Sequence, residues 1–210
     1  YTMAAPITHI VLAEKIFDSF FKGFDKKAFF IGTSLPDIRY LGVVSRNATH
    51  FEDLSIRDLR NEDSFKAGLK FHSILDAARE KFIVENNLYS LCPESKYAAQ
   101  SLKLLEDKLF YDKVKNWNTD INYLEEVSPA ERNFEISEKD LRRWHRLLQN
   151  YFKNKPNENT IKKFGLGLNF PAEVIDEINR NIKSMQADSK ITKTLENLYN
   201  NFETMIKNRF

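Results

Sequence analysis

Apolar residues recur at intervals of three and four positions along most of this chain, which is the spacing of amphipathic helices. One such stripe runs from Pro6 to Gly23, a second covers about residues 63–85, and a third follows Pro93. A fourth begins near Ser137, where the sequence resembles a capping box, and the last two cover about residues 172–185 and 191–206. No alternating run of the kind that predicts β-strands competes with them. We therefore predict an all-α fold, a compact multi-helix domain.

Polar and irregular stretches separate these stripes. We expect a turn at the position before Pro36, irregular structure over residues 40–60, loops at 116–120 and 128–129, and a polar break at 154–159. This pattern predicts a single helical domain over residues 1–210. Its 1–115 half carries the candidate metal chemistry, and its 116–210 half is helical with no assigned role.

Composition narrows the classes of function that fit. Hydrophobic residues make up 42% of the chain and aromatic residues 13%, which is enough for a packed interior. The net charge is only +2 and charges of both signs are mixed, so we expect no nucleic-acid partner. The single cysteine, Cys92, excludes an internal disulfide and a thiolate metal site. No apolar run reaches about 18 residues, so no transmembrane helix is expected.

The N-terminus leaves two locations open. A native start at Met3 predicts a cytoplasmic protein, whereas a leader removed before Tyr1 predicts a secreted one.

The candidate chemistry centres on His72 and Asp76, which lie four residues apart in a predicted helix and therefore on one face. Imidazole nitrogens and carboxylate oxygens are ligands of catalytic zinc sites. Upstream, the chain adds His9, Asp37 and His50. Each of these alone has an ordinary interpretation, as a core histidine, a Pro-Asp turn or a solvated loop histidine. Their joint order favours a metal site made of all five residues.

Four short motifs carry a wider similarity. They are Thr8-His9, Gly32-Thr-Ser-Leu-Pro36-Asp37-Ile38, Thr49-His50 and Gly68-Leu-Lys-Phe-His72-Ser-Ile-Leu-Asp76. In this order they resemble the zinc-dependent phospholipase C family, which is related to the S1/P1-type nucleases. The resemblance covers about the first 80 residues and rests on short motifs. It implies an all-helical hydrolase that cleaves phosphodiester bonds with a cluster of up to three zinc ions.

The resemblance also implies a role for each matching residue. Asp37, His50, His72 and Asp76 would hold one zinc ion, and Asp37 would also accept a proton from the attacking water. Asp76 would bridge to a second zinc ion, which His9 would also bind. In the family the mature N-terminal residue binds that same ion, a role that is not assigned to Tyr1 here. No histidine follows Asp76 closely, although the family has one there for a third metal. We therefore expect one or two zinc ions, in a site that would also suit manganese or iron.

Three further side chains are weaker candidates. Glu106 and Asp107 could direct a carboxylate into the site from the next predicted helix, or they could form a solvated charged face between leucines. Arg39 could grip a substrate phosphate, or it could pair with a nearby carboxylate. The fourth histidine, His145, lies in a basic stretch, and we expect it to have a structural or surface role.

These residues predict a metal-dependent phosphoester hydrolase, most simply a phosphodiesterase of phospholipase C type that uses a metal-activated water. Its substrate would be a phosphoester such as a phospholipid at a membrane surface. One alternative is an HD-like phosphohydrolase, which the absence of a His-Asp dipeptide disfavours. The other is a helical interaction or regulatory module with a vestigial metal site, which the missing third-metal ligands favour.

Overall fold

The computed structural model describes residues 6–209, and over this range the chain is helical with no β-strand. The α-helices of this range are α1 (Pro6–Phe20), α2 (Lys26–Ser34), α3 (Ser64–Glu85), α4 (Ala98–Phe110), α5 (Trp117–Tyr123), α6 (Glu138–Phe152), α7 (Glu158–Gly167), α8 (Ala172–Ala187) and α9 (Ser189–Arg209). The prediction of an all-α fold is confirmed. The N-terminal residues Tyr1 and Met3, on which the two possible locations depend, lie outside the described range.

Side-chain caps set several helix starts where the sequence predicts them. Asp63 accepts a hydrogen bond from the backbone N–H of Lys66 at 2.9 Å and begins α3. Ser137 accepts one from the N–H of Asp140 at 3.1 Å and begins α6. These bonds satisfy backbone donors that have no partner within the helix, so the boundary is encoded locally.

Two helices lie where the sequence predicts none. Helix α5 falls inside the predicted loop at 116–120, and the Trp117 side chain anchors it by donating from Nε1 to the Tyr111 carbonyl at 3.0 Å. Helix α7 begins inside the predicted polar break at 154–159, and Asn157 caps it by accepting from the N–H groups of Asn159 and Thr160. Both helices are short, so their apolar pattern is too brief to stand out in the sequence.

The closest packing in the fold is the crossing of α2 and α3, where two glycines meet the partner backbone. A Cβ on Gly32 would lie 2.1 Å from the carbonyl oxygen of Phe65, and one on Gly68 would lie 1.9 Å from that of Phe29. Only glycine fits at such a distance. The crossing leads directly into a 3₁₀ segment, Leu35–Leu41, which begins at the predicted turn before Pro36.

The C-terminal half of the chain packs against the end of α2, next to this crossing. The Trp144 side chain of α6 is buried and donates from Nε1 to the Ser34 carbonyl at 3.1 Å, at the end of α2. Buried apolar residues from both halves of the chain form one contiguous core. Within residues 6–209, none of the helices has the combination of length and apolar character that a membrane crossing needs.

Candidate metal centre

Five of the side chains predicted from sequence converge at one buried point between the helices. His9 comes from α1, Asp37 from the 3₁₀ segment after α2, and His50 from the stretch between that segment and α3. His72 and Asp76 lie one turn apart on α3. All five are buried, and none exposes more than 8% of its surface. The structure thus brings together residues that are up to 67 positions apart in the chain.

One group of atoms surrounds a single point on the side of His50. The Nε2 atom of His72 lies 3.7 Å from an oxygen of Asp37 and 3.7 Å from an oxygen of Asp76. The Nε2 atom of His50 lies 3.8 Å from the same Asp76 oxygen. Ligand atoms around a tetrahedral zinc ion lie about 3.3–3.6 Å apart, so a small contraction would produce this arrangement.

The two carboxylates each face in two directions. Asp76 turns Oδ2 toward His50 and His72, while its Oδ1 lies 3.5 Å from Nε2 of His9. Asp37 turns Oδ1 toward His72, while its Oδ2 lies 3.8 Å from Nδ1 of His9. The His9 and His72 rings are stacked with centroids 4.0 Å apart. This geometry suits a carboxylate that bridges two adjacent cation positions, with His9 beside the second.

A second set of contacts orients the imidazoles. Nδ1 of His72 is 2.9 Å from the Thr33 carbonyl, which can only accept, so Nδ1 carries the proton and Nε2 presents its lone pair to the site. Nε2 of His72, Nε2 of His50 and Oδ1 of Asp37 are buried and have no hydrogen-bond partner within residues 6–209. Buried polar atoms are normally satisfied, so three such atoms facing each other form a group that could hold a cation.

The electrostatics of the cluster keep two imidazoles neutral. Burial lowers the pKa of His50 to about 4, and burial together with the neighbouring His9 holds the pKa of His72 well below its ordinary value. Burial raises the pKa of Asp37 to about 6. Burial also acts to lower the pKa of His9, but Asp76, Asp37 and Asp107 outweigh it and the pKa is raised. Neutral imidazole is the form that binds metal, so His50 and His72 need not lose a proton first.

The two acidic residues of α4 have other partners. Glu106 is fully buried and accepts from Nε of Arg79 at 2.8 and 3.1 Å, so its carboxylate is paired across α3 and α4. Asp107 accepts from the N–H of Thr8 at 2.7 Å and from its hydroxyl at 2.9 Å. Asp107 therefore holds the first turn of α1 at Thr8, the residue that precedes His9. Neither residue belongs to the groups of side chains whose ligand atoms lie together.

Arg39 and His145 also have defined surroundings. Arg39 is half-buried, lies over the Tyr40 ring at 4.6 Å, and contributes positive charge that acts on Asp37. His145 is buried, and its Nε2 is 2.7 Å from Glu131, so it has the structural surroundings expected for it.

One charged residue near the site is missing from the sequence-based prediction. Lys103 of α4 is only 2% exposed, and burial lowers its pKa to about 7, with Arg79 acting in the same direction while Asp76 and Asp37 oppose it. A lysine between Leu102 and Leu104 resembles an ordinary surface position, and only its place on the inward face of α4 reveals it. Lys103 therefore places an amine that can carry positive charge where it acts on Asp37 and Asp76.

Comparison of this chain with protein-family models, curated proteins and solved structures finds no match. The function is therefore argued from the chemistry of the site.

Proposed function

We propose that this chain is a metal-dependent phosphoester hydrolase, most simply a phosphodiesterase of the phospholipase C type. The observation that carries the proposal is the group of buried ligand atoms on Asp37, His50 and His72 that face one another without hydrogen-bond partners within residues 6–209. Nitrogen and oxygen donors of this kind suit zinc, and they also suit manganese or iron.

The residues divide into two candidate ion positions. Asp37, His50, His72 and Asp76 would hold one ion, and His9 with the second oxygen of Asp76 would hold another. An ion held there would lower the pKa of a water molecule toward neutrality and would stabilise the charge that develops on a phosphoryl oxygen.

The side chains supply the remaining functions. By the resemblance of the motifs, Asp37 is the candidate proton acceptor; its Oδ1 lies 3.7 Å from Nε2 of His72 and its Oδ2 lies 3.8 Å from Nδ1 of His9. Arg39, two residues further along the same 3₁₀ segment, would contact the phosphoryl oxygens that gain charge. The narrower proposal of a phospholipid substrate rests on the resemblance of the four sequence motifs.

The test is turnover that depends on the metal and on the site. Purified protein would be stripped, reconstituted separately with zinc, manganese and iron, and assayed on bis(p-nitrophenyl) phosphate and on dispersed phosphatidylcholine. We expect turnover in at least one metal form and a loss of about 10³-fold or more in His72→Asn. His145→Asn removes another buried histidine and serves as the matched control, which should keep activity while folded.

A metal-binding module without turnover is the second candidate. The buried Lys103 favours it, because positive charge on its amine near Asp37 and Asp76 would offset part of their negative charge without a metal. Stoichiometric zinc with no hydrolysis of either substrate in any metal form would select this candidate over the hydrolase.

A further inference from the structure

A cavity of about 640 Å³ lies beside the candidate metal centre, between α3 and the loop that follows His50. Asp76 lines it, so the cavity reaches one ligand of the centre directly. Its size falls within the range of small-molecule binding sites and is too small for a folded partner. It is therefore the route by which a substrate would approach the metal-facing carboxylate.

Arg46 stands at the junction of this cavity and the centre. Its side chain lines the cavity, and its carbonyl accepts from the N–H of His50 at 2.9 Å, which ties the two residues into one turn. A guanidinium on the wall of a cavity that Asp76 also lines can bind two phosphate oxygens at once. Arg39 does not line the cavity.

The wall beyond Arg46 is apolar in part, and its other charged lining is Lys81 and the four carboxylates of Glu52, Asp53, Asp76 and Glu80. Phe51 and Leu54 of the loop face Ile74 and Ala77 of α3 across the cavity. The loop is held to the helix by a hydrogen bond from the N–H of Phe51 to the Ser73 hydroxyl at 3.0 Å. An aromatic ring and aliphatic groups that line a concave site bind the uncharged organic part of a ligand.

We propose that this cavity is the substrate subsite of the proposed hydrolase, with Arg46 as the phosphate ligand and Phe51 as the wall that receives an aryl or alkyl substituent. The inference rests on the proposed function and narrows its substrate to a phosphoester with one apolar group of about nucleoside size or smaller. The apolar group can belong to a soluble ester or to the glycerol end of a short-chain lipid. Both present the same chemistry at this position.

Binding and turnover are measured separately, so that the two proposals can fail separately. Phenylphosphonate and methylphosphonate, which are not hydrolysed, would be titrated into zinc-loaded protein by calorimetry. Arg46→Gln should weaken phenylphosphonate binding at least tenfold, while Arg39→Gln should change it less. Arg57→Gln removes an exposed arginine that does not line the cavity, and it should bind as the wild type does. Phe51→Ala should weaken phenylphosphonate binding several-fold and leave methylphosphonate unchanged.

The outcomes discriminate between the proposals. Binding that is unchanged in Arg46→Gln, or absent from the wild type, would overturn the subsite. Phenylphosphonate binding that depends on Arg46, without turnover of any ester, supports the proposed subsite and contradicts the proposed hydrolase. Turnover that is insensitive to Arg46→Gln supports the proposed hydrolase and contradicts the proposed subsite. The KM values of Phe51→Ala for bis(p-nitrophenyl) phosphate and for dihexanoyl phosphatidylcholine would then be compared with those of the wild type. The larger increase in KM identifies the substrate class, soluble ester or lipid, whose apolar group contacts Phe51.

Discussion

The crossing of α2 and α3 provides a test of how the backbone positions the candidate centre. In Gly68→Ala, the new Cβ would lie 1.9 Å from the carbonyl oxygen of Phe29. That oxygen is backbone and cannot rotate away, so the two helices must separate by about 1.5 Å to restore an ordinary contact. The same crossing carries the hydrogen bond from Thr33 to the Gly68 carbonyl at 3.3 Å and that from His72 to the Thr33 carbonyl at 2.9 Å.

Two effects set the expected size of the change. Overpacking of this kind costs about 2–4 kcal/mol, from which a helix-propensity gain of about 1 kcal/mol for alanine over glycine is subtracted. A separation of that size would also break the His72–Thr33 hydrogen bond, and losing such an orienting partner typically weakens metal binding about 10–100-fold. We therefore expect Gly68→Ala to be less stable by roughly 1–3 kcal/mol and to bind zinc at least tenfold more weakly.

Urea unfolding of the metal-free protein gives the first quantity, and competition titration with a zinc chelator gives the second. Gly165→Ala is the matched control, since its Cβ would lie 2.9 Å from the flexible Ile175 side chain and far from the centre in sequence. It should stay within about 1 kcal/mol of the wild type and bind zinc equally well. A Gly68→Ala protein with wild-type stability and wild-type zinc affinity would refute the reasoning.

Two further substitutions test the buried charged groups of Lys103 and Asp120. Lys103→Met removes the buried cation near Asp37 and Asp76, so zinc should bind about tenfold or more tightly, as measured by chelator competition. Unchanged affinity would show that Lys103 does not act on the site. Asp120→Asn tests pH dependence: burial raises the pKa of Asp120 to about 7 from 3.8, so the folded state holds the proton more tightly and its stability falls as pH rises from about 4 to 7. The variant should match the wild type in urea unfolding near pH 4 and exceed it by about 2–4 kcal/mol at pH 8. An equal difference at both pH values would contradict this assignment.

Local patterns predicted much of what the structure contains. The helical stripes and the Ser137 cap placed most of the helices, because periodicity and capping act within a few residues. The spacing of His72 and Asp76 placed both side chains on one face of α3 for the same reason. The joint order of motifs indicated which upstream residues would join them.

What the sequence could not predict depends on contacts between helices. Glu106 and Asp107 look alike in sequence, but one pairs with Arg79 and the other caps α1 through Thr8. Lys103 faces inward only because of the way α4 packs against its neighbours. Such outcomes are decided by tertiary packing, which a local pattern does not contain.

The most direct test of the central claim is the metal content of the purified chain after zinc reconstitution, combined with zinc-edge X-ray absorption. We expect one or two zinc ions for each chain, bound by imidazole and oxygen ligands at about 2.0–2.2 Å with no sulfur. Asp76→Asn should lower the zinc content, because it removes a negative charge shared by both positions. A wild-type protein that holds no zinc after reconstitution, with its helical content intact, would contradict the account.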